Sequence, residues 1–226
     1  MSAENRASTG SARYLMAGLL VVVGIATGFV TARATGFSSA SQSATIDQPD
    51  WLAGLNGEHR QLFDSPAAVG GVPLVHMMNF LDTYNTKFNV PDDRLNAIGT
   101  FYGTTVFHGL SDEMWTKYGI ADFLVSIGAE RSAGGTPSPW RSAPTIMGMS
   151  LPQASIESLQ ARGTTFILCD NAHGILSGML AGKQGLDAPT VYADMKANML
   201  PGVVLVPAMV IAINQAQSAG VSYHRQ

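Results

Sequence analysis

From residue 59 onward the chain switches repeatedly between two rhythms. Short apolar or alternating runs read as strands, and longer segments with apolar residues every three or four positions read as helices. Residues 59–64 predict a first strand. Gly70-Gly71-Val72-Pro73 then leads into a helix in which Leu74, Met77, Met78 and Leu81 share one face. Asn89-Val90-Pro91-Asp92-Asp93 ends it. Residues 95–102 predict a second strand that stops at Gly103. Ser111 predicts a helix cap with Asp112 and Glu113 in the first turn.

Residues 130–150, with Gly134-Gly135, Pro137, Pro139 and Pro144, read as a long irregular loop with the character of a lid or contact surface. A helix over 152–162 closes at Gly163, and 164–168 form a third strand. Helices follow at 171–180 and 191–200. The wholly apolar 203–206 predicts an interior strand buried on both faces. Pro207 opens a last helix that Gly220 closes, and 221–223 form a short final strand. Strands separated by helices imply a three-layer α/β/α domain with a mainly parallel sheet and right-handed crossovers.

The first fifty residues follow a different pattern. Residues 15–31 are an uncharged, mostly apolar run with Arg6 and Arg13 before it and Arg33 after it. Its length lies between a signal peptide and a membrane-spanning helix. Residues 1–35 are therefore expected to be a signal or a transmembrane anchor, a hydrophobic helix preceding the domain. The domain is then expected to lie on the extracytoplasmic side, membrane-anchored or secreted. Residues 36–50, rich in Ser, Ala, Thr and Gln, read as a flexible tether. The α/β domain is assigned to 51–226.

Composition narrows the chemistry. Hydrophobic residues make up 46% of the 226, enough for a core, and charged residues only 13%. A net charge of −3 without a basic run gives no support to a nucleic-acid partner. A single cysteine excludes an internal disulfide and every multi-cysteine zinc, iron–sulfur or c-type haem pattern. The chain carries no Walker loop, dinucleotide fingerprint, nucleophile elbow or HExxH motif. His76, Met77 and Met78 suggest axial metal or haem ligands, but they also fit a core-facing helix, and no cofactor or metal is expected.

The candidate chemistry gathers where the third strand gives way to a helix. Cys169 stands there, and a helix N-terminus favours a thiolate, whereas the neighbouring Asp170 opposes it. Asp170 and Asn171 are expected to cap that helix, with ligand contact as the alternative. His173 is expected to be an exposed first-turn histidine that could act as an acid or base. Tyr102 and Gly103 end the second strand on the same edge of a parallel sheet, where backbone amides could bind an anion. His108 follows and could face the same crevice.

Four segments resemble the DsrE/DsrF-like family: LSDEMWTKY at 110–118, LQARGTTFILC at 159–169, LPGVVLVPA at 200–208 and INQAQSAGVSY at 213–223. The resemblance runs from about residue 59 to 224. It implies a compact α/β fold, often a homo-oligomer. It also implies a cysteine, at the position of Cys169, that carries sulfur as a persulfide between donor and acceptor proteins. The apolar leader, the 130–150 loop and the lack of a second cysteine depart from the family's cytoplasmic members. Two expectations follow. One is an exported or tethered sulfur-relay protein acting through Cys169. The other is an accessory, small-molecule-binding or metal-binding subunit of a membrane or periplasmic complex that keeps the fold without thiol chemistry, with His76, His108 or His173 as the ligands if it holds a metal or haem.

Overall fold

The computed structural model describes residues 49–129, 138–142 and 144–226. The expected signal or anchor, and the tether up to residue 48, lie outside the described residues. Among those described, no helix is long and apolar enough to cross a membrane.

The chain enters through α1 (Asp50–Ala53) and forms β1 (His59–Asp64), α2 (Val72–Phe88) and β2 (Leu95–Phe101). A 3-10 helix (Gly103–Gly109), α3 (Asp112–Lys117) and α4 (Ile120–Ser126) follow. A small hairpin pairs β3 (Thr145–Ile146) with β4 (Met149–Ser150). The chain then runs through α5 (Ile156–Ala161), β5 (Thr165–Cys169), α6 (Asp170–Gln184), α7 (Ala188–Ala197), β6 (Val204–Val206), α8 (Met209–Ser218) and β7 (Ser222–Arg225).

Five strands make one parallel sheet in the order β6-β5-β2-β1-β7. From β1 the chain moves steadily toward one edge, through β2 and β5 to β6. It then returns across the sheet to add β7 beside β1. A right-handed crossover requires a reversal of direction to place its helix on the opposite face. The core follows that rule. Side chains alternate along each strand, so Phe63, Phe101, Phe166 and Leu168 join the main core with Leu74, Trp115 and Met195 from the intervening helices. Leu62, Ile98, Ile167 and Cys169 face the other way, under Met209, Ala212 and Ala216 of α8.

The α/β architecture and the parallel sheet agree with the sequence reading, whereas several local expectations do not. The 203–206 segment is not interior: β6 is an edge strand of the sheet. Its apolar run reflects helices covering both of its faces, with Val206 in the second core and Leu205 against the main one. Burial of faces leaves no trace of which strands lie alongside. The 152–162 helix is two pieces, because Ser155 is extended between a 3-10 turn (Pro152–Ala154) and α5, whose first turn it caps. Ser111 stands at the N-cap of α3, yet its hydroxyl is buried and makes no cap bond.

The described part of 130–150 packs into the domain through two of its side chains. Trp140 belongs to the main core, stacked on His108 at 3.9 Å between ring centroids. Ile146 closes against Gly71, where an added Cβ would lie 2.9 Å from its side chain.

Candidate functional site

The carboxyl edge of the sheet, on the α8 face, brings together residues far apart in the chain. Register puts Cys169 beside Val206 of β6 and Asp64 beside Arg225 of β7. Phe101 pairs with Leu168, so Tyr102, the next residue, follows onto the Cys169 side and packs against the second core. The edge therefore reads, strand by strand, Val206, Cys169, Tyr102, Asp64 and Arg225.

Cys169 is both the last residue of β5 and the N-cap of α6. Its sulfur accepts the Ala172 amide of α6 at 3.4 Å. It also accepts the Met209 amide that begins α8, at 3.3 Å. The first amides of a helix lack intrahelical partners and carry its positive end. Two such ends converge on one sulfur. The side chain is closed in, with 5% of the residue exposed. The Asn171 amide donates to Pro207 O at 3.2 Å and ties the two helix starts together.

The expected cap, Asp170 or Asn171, is thus displaced by the cysteine itself. Asp170 sits one residue inside the helix and turns outward. Its carboxylate accepts the Tyr192 hydroxyl at 2.5 Å and the Lys196 ammonium at 3.5 Å. Asn171 is exposed in the same turn.

His173 is not exposed. It lies on the buried face of α6 with Ser177, Leu180 and Ala181, its ring 4.9 Å from that of Tyr192. Neither ring nitrogen has a hydrogen-bond partner among the described residues. Burial pushes its pKa down to about 4, against a smaller upward pull from Asp170. The sequence reading failed here because α6 continues to Gln184 and packs on α7, which makes position 173 part of a covered stripe. His108 does not share the thiol's crevice either. It is buried between Trp115 and Trp140, with Nδ1 3.1 Å from Ser138 Oγ, in the main core across the sheet.

The Tyr102-Gly103 turn is spent on itself. The Tyr102 amide donates to Thr105 Oγ1, the Thr105 amide returns to Tyr102 O, and the Thr104 amide goes to Pro66 O. Gly103 has φ 56°, and an added Cβ would lie 2.6 Å from Pro66 O, so the position demands glycine for the turn. The expected anion nest is therefore occupied by the protein's own acceptors.

What the sequence did not disclose is Asp64. It is 4% exposed and accepts the Tyr223 hydroxyl at 2.5 Å. The Tyr102 hydroxyl bonds to the same carboxylate. Burial, and then Asp64, hold the Tyr102 hydroxyl well above the usual phenol range. Tyr223 is raised too, chiefly by its bond to Asp64, and Arg225 pulls both phenols the other way. An acidic residue directly after the apolar pair Leu62-Phe63 at the strand end was the available signal. Its partners could not be read because β7 joins β1 only through the return crossover.

Among the described residues, no group of three or more His, Cys, Asp or Glu side chains is placed to hold a metal ion. Met77 is in the main core, with Met78 packed against it. The sequence matches no protein-family model and none of the curated proteins.

Proposed function

We propose that Cys169 is a sulfur acceptor, in the manner of the DsrE/DsrF-like proteins that four segments of the chain resemble. The observation that carries this reading is the pair of helix-start amides on one sulfur, at 3.4 and 3.3 Å. Such donors stabilise negative charge on the sulfur they face. The thiolate attacks the outer sulfur of a donor persulfide, R–S–SH. The donor's S–S bond breaks, R–S⁻ leaves with the electron pair, and Cys169–S–SH forms without net oxidation or reduction. The sulfur is 5% exposed and held by the Met209 amide, so reaching it requires local opening around these helix starts. The 15–31 run supports export or anchoring, with the domain outside the cytoplasm; the family resemblance adds a sulfur donor or acceptor protein as partner and a homo-oligomer.

The 5% exposure of Cys169 favours a second reading, in which the sulfur serves only to join two helix starts and the protein is an accessory subunit. Intact mass of the full chain after incubation with glutathione persulfide separates the two. A gain of one sulfur atom, reversed by reductant and absent in Cys169→Ser, is the expected result. An unchanged mass, with the folded protein resisting alkylation, assigns the thiol to structure.

A further inference from the structure

On the opposite face of the sheet from Cys169, α2 and the edge strand β7 enclose an open groove of about 310 Å³. Its origin is in the sequence periodicities. His76, Asn79, Phe80, Thr83 and Tyr84 recur at helical spacing on α2, while Gln61 and Phe63 share one side of β1. His224, paired with Phe63, closes the end.

The aromatic rings form one connected wall. His76 meets His224 edge to face at 5.4 Å, His224 meets Phe63 at 5.7 Å, Phe63 meets Phe80 at 5.8 Å, and Phe80 meets Tyr84 at 5.0 Å. Phe63 is the buried floor, His76, Phe80 and Tyr84 are half-buried walls, and His224 is exposed at the end. Gln61, Asn79 and Thr83 are the uncharged polar residues besides the histidines and Tyr84 in a lining that is mainly apolar. None of the three makes a side-chain hydrogen bond among the described residues. His76 is held in place by a 2.5 Å contact between its Nδ1 and Gln226 Oε1.

We propose that this groove binds a small, uncharged, planar heteroaromatic molecule of the nucleoside kind. Stacking and edge-to-face contacts suit a flat ring. Two amides and a hydroxyl supply donors and acceptors for ring heteroatoms, the usual mixture of an apolar pocket with a few polar groups. No Lys, Arg, Asp or Glu lines the groove, so no permanently charged side chain there compensates a phosphate or a cation. A plain alkyl chain would forgo the stacking and edge-to-face contacts that the aromatic wall offers.

The test uses the full chain with adenosine as probe, adenosine monophosphate and 1-octanol as comparators, and saturation-transfer NMR with calorimetry as readouts. Adenosine should receive saturation at its purine protons. The monophosphate should bind no more tightly, and octanol should not displace the nucleoside. Tyr84→Leu should weaken binding about tenfold, the worth of one aromatic contact. The solvent-exposed Asn79→Ala and Thr83→Ala should weaken it without unfolding the domain, and the distant Val210→Ala should leave it unchanged. The proposal is overturned by an absence of saturation transfer, by displacement with octanol, or by affinity indifferent to all three groove substitutions.

Discussion

The Cys169 sulfur lies 3.3 Å from the backbone nitrogen of Met209, forty positions later in the chain. That contact joins the end of a strand next to one sheet edge to the start of the return helix. It makes one side chain the cap of α6 and an anchor for α8. Removing the acceptor leaves two closed-in amides without partners. Cys169→Ala is therefore expected to cost about 1–3 kcal/mol, while Cys169→Ser, whose hydroxyl still accepts, costs clearly less. Urea denaturation of the two variants checks the order. Equal losses would sink the double-cap account.

Stability should fall in acid through His173. Its pKa in the fold is about 4, below the ordinary 6.5. The unfolded chain thus binds the extra proton first. The contribution is complete above pH 6.5, declines as pH drops toward 4, and changes no further below that. The two limits correspond to at most about 3 kcal/mol. Denaturation midpoints measured across this window should be steeper in the parent than in His173→Phe. An identical slope in both would remove His173 as the cause.

Asp64 should govern the two phenols that meet on it. Asp64→Asn removes the charge that, after burial for Tyr102 and ahead of it for Tyr223, raises their titration. Ultraviolet titration should show one or two tyrosines ionising at lower pH in the variant. Tyr223→Phe should cost about 1 kcal/mol and raise amide exchange in β7, because a bond to a buried carboxylate is lost there. Unchanged exchange in residues 222–225 would show that β7 is held by other contacts.

Gly178 lies inside α6, and an added Cβ there would meet nothing within 4 Å. Glycine in a helix interior is about 1 kcal/mol worse than alanine, so Gly178→Ala should stabilise the domain by about that amount. A loss of stability, followed by thermal or urea unfolding, would mean that another surface packs against this face.

The periodicity of the sequence determined the alternation of strands and helices, the parallel sheet and the placement of Cys169 at a strand end. Each depends on contacts within a few residues or on the two-residue and 3.6-residue rhythms of burial, which are written locally. Gly163, Pro207 and Gly220 marked boundaries for the same reason, since backbone constraints act at the residue that carries them. The lateral order of strands was not written there. Val204, Leu205 and Val206 are apolar because helices cover them, and that holds equally at an edge. His173 looked exposed until α7 folded over it. Asp64 looked like the end of a strand until the return crossover brought Tyr223 to its carboxylate. Hydrogen bonds across such separations depend on which elements the crossovers bring side by side, and only the assembled sheet decides that.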